Sequence, residues 1–280
     1  MSNTANGIKL ERVVAGPGPE DNVNLSYKKN NGEWTTYNLG DIIRLQKDEA
    51  VAFSGANDHF SNSYNNYYYF QMTGIIEAKG NMQSLMNYNT SITPFCYAWM
   101  FAGSITGQNT ACTQLKSASG LVLPATTMAD CCYEAMFAGC TNLKSVPIMK
   151  HGSLAYGCYN SMFMGCTNIS SVPENYLPVT DLAQSCYYRM FAGCSKLSTA
   201  PSLPATTLAY ACYSTMFAGC TSLTTAPELS ATELADVCYH SMFSGCTHLK
   251  TTPSILPATT LVPSCYYSMF AYCPEIREAP

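Results

Sequence analysis

The string CYSTMFAGCTSLTTAP at residues 212–227 is one copy of a unit that recurs through the carboxy-terminal two thirds of the chain. Aligned on its first cysteine, the unit begins at Cys96, Cys132, Cys158, Cys186, Cys212, Cys238 and Cys265, at steps of 36, 26, 28, 26, 26 and 27 residues. In six of the seven copies a second cysteine follows eight residues later, at Cys140, Cys166, Cys194, Cys220, Cys246 and Cys273. The first copy has Cys112 instead, because SITGQNTA (104–111) is inserted after Gly103. Only Cys131 of the 15 cysteines falls outside this register. A unit this short cannot bury an apolar face alone, so successive copies have to stack.

Each unit reads as two pieces. In LADVCYHSMFSG, residues Cys238, Tyr239, Met242 and Phe243 sit at offsets 0, 1, 4 and 5. At about 100° per residue these fall on one helical face, which predicts a short amphipathic helix. Gly245, like Gly139, Gly165, Gly193 and Gly219, stands where a left-handed cap would end that helix. The second piece, CTSLTTAPELSATEL, predicts a strand of a few residues, with Leu223 and Ala226 inward and Pro227 at an edge. Equivalent residues in stacked strands lie about 4.8 Å apart, so the cysteines form two columns. Buried free thiols suit such columns, and cross-coil disulfides stay open because the spacing falls inside the range they tolerate. A metal is the weakest alternative: there is no CxxC, and the one local grouping is Cys238, His240, Cys246 and His248, whose histidines read as solvent-facing variation.

The pattern CYxxMFxGCTSLTxAPxLPATTLA resembles the repeat of the BspA-like leucine-rich-repeat proteins, over about residues 96–280, and YYYFQMTGIIEAKGNMQSLMN (67–87) resembles the lead-in to such arrays. The expected fold is therefore an α/β leucine-rich-repeat solenoid of seven coils over residues 81–280. A small β-rich capping domain over residues 1–80 precedes it. In that region VNLSYKKNNGEWTTYNLG reads as a hairpin around NNGE, and DIIRLQKDEAVAFSG and NYYYFQMTGIIEA supply more β-prone runs. Such a domain would cover the apolar end of the first coil. The resemblance implies extracellular display and binding or adhesion, on a bacterial surface or a phage virion.

Composition restricts the partners. Charged residues make up 11% of the chain and the net charge is −4, with no run of Lys or Arg, which argues against nucleic acid. The amino terminus lacks the basic-then-apolar pattern of a secretory signal peptide, and no stretch reaches the length of a membrane span. No nucleophile elbow, HExxH, phosphate loop or dinucleotide fingerprint occurs, and His59, His151, His240 and His248 fall at unrelated repeat positions. The expectation is a protein that is not an enzyme and needs no cofactor.

Three surfaces are candidates for binding. One is the column after the strand leucine, comprising Lys116, Lys144, Ser170, Ser198, Thr224, Lys250 and Arg277. Another is the tyrosine column Tyr97, Tyr133, Tyr159, Tyr187, Tyr213, Tyr239 and Tyr266, which the helical reading makes half-buried packing. The third is irregular: the inserted loop with Gln108 and Asn109, and residues 57–70 with Tyr64, Tyr67 and Tyr68, rich in the Tyr, Ser and Asn of recognition loops. The chain stops at CPEIREAP, within what would be the strand of an eighth unit, so the last coil reads as uncapped and able to meet a partner or a second copy. The functional expectation is recognition or adhesion to a cell-surface protein or glycan. The alternative is a structural subunit of a phage virion, with neighbouring virion subunits as partners.

Overall fold

In the amino-terminal third, period-two alternation produces strands. The computed structural model describes residues 6–14, 23–57, 59–86, 88, 92–102, 112–278 and 280. Strands β1 (Asn6–Val14), β4 (Ile43–Leu45) and β6 (Asn66–Thr73) form one antiparallel sheet in the order β4-β1-β6. Strands β2 (Leu25–Lys29), β3 (Thr35–Thr36) and β5 (Val51–Gly55) form another in the order β3-β2-β5. The hairpin expected around NNGE is the β2–β3 connection, where Asn30 takes a φ of 50° and the amide of Gly32 donates to Lys29 O (2.9 Å). Strand β7 (Ile76–Asn81) straddles residue 80 and pairs in parallel with β8 (Leu115–Leu123), which in turn pairs with β9 (Ile148–Met149).

The repeats stack as coils, numbered 1 to 7 from Cys96 to Cys265, but the expected α/β architecture is corrected. There is no α-helix among the described residues, whose only helical element is a 3-10 turn at Met82–Leu85. Where helices were expected, each coil runs through consecutive turns. In coil 5 the amides of Cys212, Ser214, Met216, Ala218 and Cys220 donate three residues back, to Ala209, Ala211, Tyr213, Thr215 and Phe217. The intervening amides of Ala211, Tyr213, Thr215, Phe217 and Gly219 donate to Asp236, Cys238, His240, Met242 and Ser244 of the next coil, at 2.8–3.1 Å. An α-helix would spend all these donors internally. Here every second one joins coil to coil.

The backbone repeats every four residues rather than every 3.6. Ala211, Thr215 and Gly219 have φ of 50°, 57° and 73°, and the same three offsets are left-handed in coils 2 to 7. Each non-glycine residue held there costs about 1–2 kcal/mol, comparable to the net worth of about 0.5–1.5 kcal/mol for a buried hydrogen bond. With the ladder offsetting the strain, net stability has to come from what the ribbon buries. The expected strands after each second cysteine shrink, in coils 4 to 6, to isolated parallel bridges such as Leu203↔Leu229 and Thr225↔Thr251.

A four-residue period turns offsets 0, 1, 4, 5 and 8 inward in coils 2 to 7. The tyrosine column is therefore fully buried from Tyr97 to Tyr239, not half-buried, with neighbouring rings stacked 5.5–6.0 Å apart. A parallel column of phenylalanines runs from Phe101 to Phe270 at 5.1–5.8 Å. Burying each such ring contributes about 1.5–3 kcal/mol.

The second cysteine column has a specific reason. The thiols of Cys166, Cys194, Cys220, Cys246 and Cys273 donate to the carbonyls of Phe137, Phe163, Phe191, Phe217 and Phe243 one coil back, at 3.0–3.2 Å. A thiol is small and apolar yet carries a donor, which that carbonyl position uses. All fifteen cysteines are free, and fourteen are buried. His240 lies on the Tyr267 ring (5.3 Å) while His248 Nδ1–H donates to Thr221 O (2.6 Å), so the Cys/His grouping does not converge.

Strand β6 caps the stack by imitating a coil. The Phe70 amide donates to Met100 O (2.7 Å), the Cys112 thiol donates to Phe70 O (2.6 Å), and the Phe70 ring stacks on Phe101 at 5.8 Å. These are the three contacts that the phenylalanine of each of coils 1 to 6 makes with the next coil. One hydrophobic core accordingly runs from Ile8 to Met269 without interruption.

Two outcomes follow. Among the described residues the buried hydroxyl of Tyr213 has no partner, whereas Tyr97 OH donates to Met82 O (3.2 Å). Tyr213→Phe should raise unfolding free energy by about 1 kcal/mol and Tyr97→Phe should lower it by a similar amount, measured by denaturant titration. Burial pushes the Cys96 thiol up to about 11 and that of Cys212 up to about 12. Native protein at neutral pH should react sluggishly with a thiol reagent, and all fifteen thiols should titrate once it is denatured without reductant.

Candidate functional site

The period that buries offsets 0, 1, 4, 5 and 8 places offsets −2, +2 and +6 on the opposite, outer face of the ribbon. On coils 1 and 2 that face is covered. Tyr67 and Tyr69 of β6 pack there with Ala98, Trp99 and Ala135, while the neighbouring Tyr68 and Phe70 face the main core. The cover ends at a polar seam. Tyr64 lays its ring on Phe95 and Trp99 (4.9 and 5.0 Å) and its hydroxyl donates to the Glu134 carboxylate at 3.0 Å. The Asn160 amide of coil 3 donates to the same carboxylate at 3.1 Å.

Cys131, the cysteine outside the repeat register, belongs to this seam. Its thiol is pushed upward first by burial and then by the charge and hydrogen bond of Glu134. It also explains Gly157, which has a φ of +56° and whose added Cβ would stand 3.1 Å from Cys131 Sγ. Burial likewise raises the Glu134 carboxyl above its usual 4.5, outweighing the hydrogen bonds that pull it down.

From coil 3 onward most of the outer face is exposed or half-buried, although Ser214 at offset +2 of coil 5 is buried. It carries Tyr156 and Tyr210 at offset −2, 48% and 47% exposed, and Tyr267 at offset +2, 62% exposed. Between them lie half-buried Tyr188, with the Arg189 guanidinium 5.2 Å over its ring, and His240 stacked on Tyr267. Gln184, Asp236 and Pro263 fill the remaining offset −2 positions, in coils 4, 6 and 7, and all three are exposed. The result is a flat surface of ring faces interleaved with amide, carboxylate and guanidinium groups, held by the backbone ladder beneath it.

Comparisons with family models, curated proteins and solved structures find no match. The chemistry of this face therefore has to be read from its own residues.

The residues expected from the sequence to bind are dispersed. Lys116, Lys144, Lys250 and Arg277 are exposed and stack in one column on a different face, the Lys144 amide donating to Lys116 O (2.9 Å). Ser170, Ser198 and Thr224 separate the two basic pairs, and Lys250 is paired with Glu275 at 3.5 Å, so no continuous basic stripe forms. Tyr67 and Tyr68 are buried, at 0% and 3% exposure. Tyr64 is surface-accessible but anchored at the seam. Gln108 and Asn109 lie outside the described residues. Tyr156, Tyr188, Tyr210 and Tyr267 were passed over because a 3.6-residue period assigns them to an ordinary solvated helix surface. The 0, 1, 4, 5, 8 spacing fits one helix face equally well, so the spacing alone held no signal that could have found them.

Because the folded state holds the Glu134 proton more tightly than the unfolded chain, this group's contribution to stability is complete below pH 4.5 and is lost as pH rises through its folded value. Glu134→Gln cannot ionise and should flatten the decline of stability above pH 4.5, read from denaturation midpoints across a pH series.

Proposed function

We propose that this chain is a non-enzymatic recognition protein that binds a cell-surface protein or glycan through the outer face of coils 3 to 7. The observation that carries this reading is the row of half-exposed tyrosines on that face, fixed by a hydrogen-bonded scaffold. Tyrosine supplies large contact area at low entropic cost, and its ring and hydroxyl suit partners with both apolar and polar patches. Rigid backing lowers the ordering cost of binding. Extracellular display, on a bacterial surface or a virion, fits such a role. In assays on glycan arrays and candidate host cells, Tyr156→Ala combined with Tyr210→Ala should weaken binding at least about tenfold. Lys144→Ala combined with Lys250→Ala should change it little. Unchanged binding by the tyrosine variant would overturn the outer-face assignment.

A second reading, a structural subunit of a phage virion, is favoured by the far edge of coil 7. The amides of Tyr266, Ser268, Phe270 and Tyr272 occupy positions that donate to the next coil throughout the array, and they have no backbone acceptor among the described residues. A neighbouring subunit or further chain presenting carbonyls would satisfy them. A two-fold pairing of this edge with itself would set donors against donors, which disfavours an isologous dimer there.

A further inference from the structure

We propose that offset −2 of coils 2 to 6 is a binding track for a linear, uncharged β-1,4-linked glycan that lies along the stack with one sugar ring over each coil. This rests on the outer-face reading and narrows its ligand to one chemical class.

The ladder builds the track. Asp130, Tyr156, Gln184, Tyr210 and Asp236 occupy offset −2 of successive coils, and all five are exposed. Their carbonyls accept from the amides at offset −1 of the preceding coil, those of Phe95, Cys131, Gly157, Ser185 and Ala211, at 2.8–3.1 Å. The five positions are thereby pinned at the coil spacing, and the His240 and Tyr267 rings on this same face stand 5.3 Å apart in adjacent coils. The two tyrosines of the track are two coils, about 10 Å, apart.

The order of the side chains carries the inference. Along the stack it runs acid, ring, amide, ring, acid, so rings and polar groups alternate with a two-coil period. Tyr156 and Tyr210 are almost equally exposed, each by about half, as rings are that lie on the ribbon and leave one face to solvent. Asp130 Oδ1 accepts from the Tyr156 amide (3.2 Å), which fixes that carboxylate beside the first ring.

A β-1,4-linked pyranose chain has the same period. Each sugar advances the chain by one ring length, comparable to one coil, and is flipped relative to its neighbour, so like faces recur at every second sugar. The apolar C–H face of a pyranose packs on the negative face of an aromatic ring, and its equatorial hydroxyls bond to carboxylates and amides. Tyr156 and Tyr210 then hold alternate sugars, while Asp130, Gln184 and Asp236 meet the hydroxyls of those between. The column contains two carboxylates and no cation, which disfavours sulfated or uronic chains. A protein partner fits less well, because the column has no aliphatic side chain to seed a desolvated anchor and its regular period has no counterpart on an irregular surface.

The test titrates the full chain calorimetrically with cellohexaose, chitohexaose and mannohexaose, and with maltohexaose, whose α-1,4 links curl the chain. At least one β-1,4 hexamer should bind saturably with a Kd below about 1 mM, and its disaccharide and maltohexaose at least about tenfold more weakly. Tyr156→Ala and Tyr210→Ala should each weaken that hexamer at least about fivefold. Exchanging two residues, Gln184→Tyr with Tyr210→Gln, keeps the composition but sets two rings on adjacent coils, and should weaken it as much. All these side chains are exposed, so thermal midpoints should stay close to that of the unaltered chain. No saturable binding by any β-1,4 hexamer up to about 3 mM would overturn the proposal. So would equal binding of maltohexaose, or an exchange variant that binds as well as the unaltered chain. Host-cell binding that needs Tyr156 and Tyr210 but is abolished by protease treatment of the cells, with no hexamer bound, would overturn the glycan and leave the outer-face reading standing.

Discussion

The amide ladder between coils is the interaction on which everything else depends. Half of the donors in each turn ribbon have no partner within their own coil, as in Tyr213 and Phe217, whose amides reach Cys238 and Met242. A single coil would leave those groups bare and several residues strained in the left-handed region. The repeat can therefore exist only as a stack, and each coil depends on the next for both hydrogen bonding and the apolar surface that repays its strain.

Polarity follows from the same ladder. Donors point one way along the stack, so its two ends differ chemically: coil 1 offers carbonyls and coil 7 offers amides. The amino-terminal sheet answers the first end, with Ser61 and Phe70 donating to Cys96 and Met100 and with a ring and a carbonyl completing the phenylalanine column. Its second face, through Tyr67 and Tyr69, covers the outer surface of the first coils and stops at the Tyr64–Glu134–Asn160 seam. That boundary defines where the open, tyrosine-bearing face begins. The backing of that face is the ladder seen from outside.

Parts of the site were legible because they rest on local chemistry. The hairpin turn at Asn30 and Gly32, the left-handed glycines from Gly139 to Gly245, and the burial of the cysteine columns all follow from residue type and spacing. Tyr67 and Tyr68 were misplaced because a run of four aromatics carries no sign of which face meets a neighbouring coil 30 residues further on; Trp99 and Phe60 decide that. The outer tyrosines were missed for a different reason. Offsets 0, 1, 4, 5 and 8 all fall on one helix face and fit it as well as they fit a four-residue turn period, so only the amides that bond to the next coil separate the two.

The sequence by itself determined that the chain repeats, that its coils must stack, and which side chains form the interior columns, since these depend on apolar spacing alone. The tertiary structure decided the backbone that carries them. Whether an amide bonds within its own coil as a helix or outward to the next is a choice between hydrogen bonds of similar strength. It is settled by the neighbouring coil, whose carbonyls lie in register and whose rings bury the surface that makes left-handed residues tolerable.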